Sequence, residues 1–550
     1  MLKTLFSTRP FAGFAEDWRA DLNAGFLVSL IALPLCFGIA TASGFPPIAG
    51  VISSIVGGLL VSRINGLPLG ITGPAAGLIT VLYSAVETLG AGDAWAGYRY
   101  TLAAIVVAGV LQVVLGITRT GRIAALFPAA IAHGMLAAIG IMIIGRQAHI
   151  LLGTRPEVTS VWQSLAQIPV SLFHFNPVIF LIGLLSLAVL FGWPMFNNRG
   201  LGRVPAPIIA VLIGYLLGQA FNLNPAELYV RSEAGGGLLN PTVYTTAPQF
   251  LADIPEHLLD SVVFPDFGQF TTVAFWSAVI GLFLVGSLES LLVASAVDRL
   301  APGPVRADLN RDIAAVGLGN VLSGLIGGLP MIVEIVRSSA NIGYGARTAN
   351  ANLFHALFLL LFIVLLPNWL EGIPLATLAA LLIYAGYRLA SPATFAKAWD
   401  VGAEQLALFV MTLVAVLATN ILAGIAIALV AKLLLSRWLG GRGMTLCGLF
   451  RLSYQKTLER PGDYRIVIDG PAVFSNFLRL KGELTRLPQG GHVVIDVSGA
   501  SLIDHTVMDY MDRFSQRYTA AGGHCEIVGL EHLAAHSEHP LAARFGQPRD

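Results

Sequence analysis

Fourteen apolar runs occupy most of residues 22–438, near 22–41, 47–62, 74–89, 100–117, 123–146, 177–193, 205–221, 272–296, 312–327, 331–343, 351–367, 374–390, 403–419 and 421–438. A helix needs about 20 apolar residues to span a bilayer, and the shorter runs suit half-spans. Hydrocarbon offers backbone N–H and C=O groups no partner, and irregular backbone survives at membrane depth only against protein or a water-filled cavity. The runs therefore confine the chain to a polytopic α-helical membrane fold. Composition agrees: 12% of the 550 residues are charged and mean hydropathy is +0.74, where soluble domains carry roughly 25% charged residues.

The polar stretch 222–271 divides the runs seven and seven, and the third run of each half opens at a break. In the first half the break is Thr72-Gly73-Pro74, followed by Ala75, Ala76 and Gly77; in the second it is Gly327-Gly328-Leu329-Pro330. Matched Gly/Pro-interrupted segments mark an inverted 7+7 repeat with its binding site between facing half-helices, here near 74–89 and 331–343. Pro330 suits the first helical position, where an N–H is not needed. The amides of Met331, Ile332 and Val333 would then stand open at the positive end of a helix dipole, a natural anion site.

With the N-terminus inside, Arg63, Arg119, Arg122, Arg199, Arg203, Arg299, Arg306, Arg311, Arg347, Arg388, Lys397, Lys432 and Arg437 gather in alternate loops, while 222–271 on the opposite side is acidic. The positive-inside rule then puts both termini in the cytoplasm. Residues 1–21 read as a cytoplasmic segment without a cleavable signal pattern, and 22–439 as the transmembrane domain. After Gly440-Gly441-Arg442-Gly443 the character changes. Strands at 464–469, 492–497 and 524–528 alternate with amphipathic helices near 474–487 and 505–520, which makes 440–550 a small cytoplasmic α/β domain with its tail.

A net charge of +1 without a dense basic cluster argues against a nucleic-acid partner. Cys36, Cys447 and Cys525 have neither metal-ligand spacing nor the arrangement of a disulfide framework. The spans contain no His-Glu-x-x-His motif and no Ser/His/Asp or Cys/His constellation, so an enzyme is not expected. Nor is a metal site or a cofactor, Na⁺ as a coupling ion apart.

Glu289 lies inside an apolar run, where an ionised side chain is costly and usually functional. It is expected to be a protonatable coupling carboxylate or a Na⁺ ligand, with a structural role as the alternative. Glu334 falls where the second half-helix begins; it either pairs with Arg337 at i+3 or acts as a pH-sensitive gate. His133 and His355 read as hydrogen-bonded packing residues, and Asn341 and Asn420 as helix-end or interhelical hydrogen-bonders.

These residues resemble the SulP/SLC26 family of anion transporters. Pro34 through Gly44-Phe45-Pro46-Pro47 resembles that family's first-span signature, and Thr72-Gly73-Pro74-Ala75-Ala76 its third-helix opening. Glu289-Ser290-Leu291-Leu292 resembles the acidic motif of the eighth helix. The stretch 335–341, followed by Gly345-Ala346-Arg347-Thr348, resembles the tenth helix and its exit. Val494-Ile495-Asp496-Val497-Ser498-Gly499 with Ile503-Asp504 resembles a STAS domain. The resemblance implies a core domain moving against a gate domain, a substrate between the third and tenth helices, and a homodimer assisted by STAS. It implies substrate contacts from Cys36 and Phe37 on the first span, from Thr72, Gly73, Pro74, Ala75 and Ala76, and from Pro330, Met331, Ile332 and Val333. Departures are Leu35 where a Gln is common, Ile332-Val333-Glu334 where a hydroxyl and a glycine are common, and His505-Thr506 where related regulators carry phosphorylated serines. Sodium-coupled relatives place a hydroxyl one turn beyond Glu289, where Val293 stands here, which tilts the expectation to H⁺.

Together these readings predict a secondary active transporter of a small inorganic oxyanion, bicarbonate or sulfate, working by alternating access with H⁺ or Na⁺ coupling. A dicarboxylate carrier, or an anion channel or exchanger on the same scaffold, is the alternative. The expected setting is a bacterial-type inner membrane, with the spans in contact with lipid.

Overall fold

The computed structural model describes residues 14–119, 128–154, 161–196, 205–221, 223, 227–230, 243–246, 251, 261–300, 307–419, 421–439, 447–460, 462–488 and 490–546. Arg122, Arg199, Arg203, Arg306, Asn420, the linker 440–443 and most of the acidic stretch 222–271 lie outside them. Each of the fourteen apolar runs contains a helix or most of one. In order these are α1 (Phe14–Ala42), α2 (Pro47–Val56), α3 (Ile79–Gly90), α4 (Ala94–Ile117), α5 (Ala129–Leu151), then α7 (Pro177–Gly192) and α8 (Ala206–Ala220) after the unexpected α6 (Val161–Phe173). The second half holds α9 (Val273–Leu300), α10 (Leu309–Leu325), α11 (Ile335–Gly343), α12 (Asn350–Leu365), α13 (Leu375–Leu389), α15 (Ala403–Ala418) and α16 (Ile421–Leu439), with a further unexpected helix α14 (Pro392–Val401). Among the described residues six helices are long and apolar enough to cross a membrane, or seven if α6 and α7, bent by 117°, count as one span.

The chain separates into two compact units. The first comprises 1–121, 139–302 and 306–388. Its core gathers Phe37, Val51, Ile52, Val293, Val316, Met331 and Val333 around the two Gly/Pro breaks. Here the structure corrects the expected helix starts. Thr72–Pro74 is strand β1 and Met331–Val333 is strand β4, the peripheral pair β2 (Glu227–Val230) and β3 (Val243–Thr246) lying between them in sequence. β1 and β4 pair antiparallel, Thr72 with Val333, Gly73 with Ile332 and Pro74 with Met331, and all six residues are buried. Two segments that Gly and Pro keep out of helix satisfy one another's backbone instead, which membrane depth demands. Helix resumes only at Ala76 in the first break, as a single 3-10 turn leading into α3, and at Ile335 in the second. The half-helices therefore run 76–90 and 335–343, not 74–89 and 331–343.

The second unit comprises 122–138, 303–305 and 389–550. Its C-terminal portion carries the expected strands, now β6 (Asp463–Ala472), β7 (His492–Ile503) and β8 (His524–Val528), with helices α17 (Leu478–Thr485) and α18 (His505–Ala520). Both crossovers are helical and both pairings, β6 with β7 and β7 with β8, are parallel, as strand–helix–strand connections require. An added strand β5 (Ser453–Arg460) pairs antiparallel with β6, and β9 (Leu533–Ala535) and β10 (Arg544–Gly546) extend the far end of β7. Ile466, Ile468, Val493, Ile495, Val497, Met508, Met511 and Phe514 pack between sheet and helices.

Lys432, read from the sequence as a loop charge, is instead buried near the end of α16. Its Nζ lies 3.7 Å from Asp504 Oδ2, with both side chains about 3% exposed. Asp504 also accepts the Phe474 N–H at 2.9 Å and caps α18 through the Val507 N–H at 3.0 Å.

Candidate functional site

The crossing of β1 and β4 is built by clamps on the backbone around it. Asn320 of α10 accepts the Met331 N–H at 2.6 Å and donates to the Met331 carbonyl at 3.2 Å, and its amide also donates to Gln112 of α4 at 2.7 Å. Ser323 donates to the Leu329 carbonyl at 2.7 Å, Tyr98 donates to the Gly327 carbonyl at 2.7 Å, and the Leu329 N–H donates to Ala49 at 3.1 Å. Gly327 turns through a φ of +94°, the left-handed region that glycine favours. On the flanks of the ladder, the Ala75 N–H reaches the Pro330 carbonyl at 3.1 Å and the Glu334 N–H reaches Ile71 at 2.9 Å.

These bonds overturn the expected anion amides. Pro330 is an extended residue ahead of a strand, not the first residue of a helix. The Met331 amide is held by Asn320, and Ile332 stands opposite Gly73 in the ladder. Val333 is buried opposite Thr72. The second half-helix begins after Glu334, whose carbonyl accepts the first intrahelical bond, from Ser338 at 2.9 Å, and whose side chain does not cap the helix. The amides that precede that bond belong to Ile335, Val336 and Arg337. They hold the positive dipole end assigned to 331–333 in the sequence reading.

At the first half-helix the amides are engaged by carboxylates. The Gly77 N–H donates to Glu289 Oε1 at 3.1 Å, and a side chain at Gly77 would collide with that carboxylate. The Glu334 carboxylate neighbours both the Ala76 amide and Glu289. The structure thus brings Glu289 and Glu334 together beside the start of the third segment, though 45 positions of sequence separate them. Oε2 of Glu289 and Oε1 of Glu334 have no hydrogen-bond partner among the described residues.

The Glu334–Arg337 ion pair is not formed: among the described residues the two come no closer than an electrostatic influence. The i, i+3 rule presumes that both residues are helical, and Glu334 has the extended backbone of an N-cap, φ −95° and ψ 123°. Arg337, wholly buried, donates from Nη1 to Ser54 at 3.0 Å, and Ser54 in turn is 3.1 Å from Cys36 Sγ. Cys36 and Phe37 are fully buried in α1, the first tied to Ser54 and the second packed in the core. Thr72 accepts from the Asn352 amide at 3.1 Å and is fully buried. Gly73, Pro74, Ala75 and Ala76 do sit at the crossing. Asn341, two residues from the end of α11, donates to the Leu69 carbonyl at 3.1 Å, which lies in a turn and not in a helix. His355 departs from expectation, since it is fully buried with neither ring nitrogen partnered among the described residues.

Asn320, Gln112, Ser54 and Asn352 were missed in the sequence. Their signal was present as polar side chains inside apolar runs, where each needs a partner, but which partner each finds depends on contacts between distant runs.

Residues 18–414 match the sulfate permease family. The bicarbonate transporter BicA of Picosynechococcus sp. is 25% identical over 372 residues, 67% of this chain and 61% of BicA, so the chain spans about three fifths of that relative's length. The solved transmembrane domain of a cyanobacterial bicarbonate transporter BicA superposes with a TM-score of 0.59 at 21% identity, over 75% of this chain and 97% of that one. The murine anion transporter Slc26a9 in its inward-facing state gives 0.63 at 16% identity, over 92% of this chain and 85% of that one. At these identities the two structures speak to fold alone; the Slc26a9 match, over 92% of this chain, is the one of the two that extends to the C-terminal sheet domain, which fits a STAS domain.

Proposed function

The chain belongs to the sulfate permease family, and from that premise we propose that it is a secondary active transporter of a small inorganic oxyanion, bicarbonate or sulfate, coupled to H⁺ or Na⁺. The observation that carries the reading is the buried β1–β4 pair, which sets the starts of two half-helices together in the core of one unit. Such paired starts offer an anion unpaired N–H groups and converging dipole ends. BicA, named as a bicarbonate transporter, supports bicarbonate as the first anion to test.

Coupling follows from who holds the amides. With Glu289 ionised, its carboxylate occupies the Gly77 N–H and places negative charge at the end that would receive an anion. A proton or cation on Glu289 removes that charge and weakens its grip on the amide, so anion and cation enter together. The neighbouring Glu334 adds a second carboxylate at the same end, beside the Ala76 amide. A proton is favoured over Na⁺, since hard cations want several oxygen ligands and Val293 stands one turn beyond Glu289. Alternating access would move this site from one side of the membrane to the other. A homodimer, with the STAS domain assisting assembly or regulation and both termini cytoplasmic, completes the proposal.

Purified protein in proteoliposomes, given labelled bicarbonate or sulfate under imposed pH and Na⁺ gradients, tests it. Saturable uptake driven uphill by an inward proton gradient is expected. Flux that never saturates would identify a channel instead, and uptake confined to dicarboxylates would replace the substrate class.

A further inference from the structure

We propose that the soluble domain carries a site for a divalent transition-metal ion of the zinc class, formed by His492 of β7 with His524 and Glu526 of β8. The argument begins with a repeat the transport reading leaves unused. Both strands are entered through the same tripeptide, Gly490-Gly491-His492 and Gly522-Gly523-His524. The first glycine of each turns through nearly the same left-handed angle, φ +85° and +86°. Each histidine N–H is then fixed by a carbonyl of the preceding strand's entry, His492 by Gly462 at 3.1 Å and His524 by Gly491 at 2.9 Å. The second glycines leave no room for a side chain, Gly491 lying against the Gly462 backbone and Gly523 against Tyr518.

Two identical entries in register deliver two imidazoles side by side. His492 pairs with His524, and the ring centroids stand 4.9 Å apart at an interplanar angle of 9°. Glu526 follows His524 by two positions, so it shares its face of the strand. That face is turned away from the core, which the alternate residues Val493, Ile495, Val497 and Cys525 enter and against which Ile527 packs. One donor atom from each of His492, His524 and Glu526 lies within 4.8 Å of the other two. Among the described residues, none of the three side chains makes a hydrogen bond or ion pair.

Two neutral imidazole nitrogens and one carboxylate oxygen are the donor set of zinc and its neighbours, not of Ca²⁺ or Mg²⁺, which take oxygen. Ligand atoms around a tetrahedral ion with bonds of about 2.0–2.1 Å stand roughly 3.3 Å apart. His524 and Glu526 are exposed and His492 half-buried, so the two stacked rings have room to turn their in-plane nitrogens, together with the carboxylate, onto one ion. Asp463, the register partner of His492 on β6, is the next carboxylate along the same row, and water completes the shell.

The test uses the full chain in detergent, stripped with a chelator and titrated with Zn²⁺ by calorimetry and with Co²⁺ by visible absorption. One ion per chain is expected. His492→Ala and His524→Ala should each weaken it by more than the about 10–100-fold that loss of an outer-shell partner costs. The exposed His532→Ala serves as a control and should leave binding unchanged. Lack of saturable binding near one equivalent overturns the proposal, as does native affinity in both histidine variants. Should those variants fail to fold, the near-isosteric Glu526→Gln decides: unchanged Zn²⁺ affinity there also overturns it.

Discussion

Two buried carboxylates, Asp504 in the second unit and Glu289 in the first, are held in opposite ways. Asp504, in the second, receives a lysine ammonium at 3.7 Å and two backbone N–H groups, so its charge is matched and fixed. Glu289, in the first, receives one amide at 3.1 Å and has another carboxylate, Glu334, as its charged neighbour. The nearby cation, Arg337, directs its hydrogen bond to Ser54. Where a carboxylate serves architecture, the fold neutralises it; at the crossing it does not. Glu289 is left with one carboxylate oxygen, Oε2, that has no hydrogen-bond partner among the described residues.

The largest effect should come from filling the space between amide and carboxylate. Gly77→Val places atoms where the Glu289 carboxylate sits, and uptake into proteoliposomes should vanish while the size-exclusion profile stays native. Normal uptake would remove the site from this place. Next comes the matched pair. Lys432→Ala strands Asp504 in a buried setting, and breaking such a pair costs about 3–5 kcal/mol. The melting temperature of the solubilised protein should fall sharply, with a good part recovered in Lys432→Met combined with Asp504→Asn; an unshifted melt would show that the pair is not structural.

Glu289→Gln should behave the other way round, keeping the melting temperature and anion exchange but losing accumulation against a gradient. Uphill uptake at the native level would move coupling to Glu334. The smallest effect concerns a pair at the surface of the soluble domain. The Arg465 guanidinium, bonded to Asp496 at 2.7 Å, together with Ser498 holds the Asp496 carboxyl down to about 2. A carboxyl lowered by folding contributes stability above its ordinary value near 4, and that contribution disappears as pH falls toward 2. Arg465→Ala should therefore shift acid unfolding, followed by circular dichroism from pH 5 to 2, slightly upward. An identical acid transition would mean that solvent already screens the pair.

The membrane fold was legible because length, apolarity and Gly/Pro breaks are local properties, and each run became a helix. The soluble strands were legible for the same reason, through alternation and spacing. The start of the second half-helix was misplaced by a few residues because Met331–Val333 pairs with Thr72–Pro74 from the other half of the chain. No local rule announces that pairing. The error carried forward: placing Glu334 inside a helix created an Arg337 partner that its extended backbone denies. Glu289 stood out correctly as a charge in an apolar run, but its seat on the Gly77 amide required the fold. Lys432 was misread because positive charge near a span end ordinarily marks a loop, and its partner lies beyond the linker.

That last pair bears on how the protein is made. Lys432 is made 72 residues before Asp504, so α16 is synthesised while its lysine has no counter-ion. Only when the C-terminal domain has folded does the ammonium gain its counter-ion. A chain ending at Leu439 would keep that buried lysine without its counter-ion.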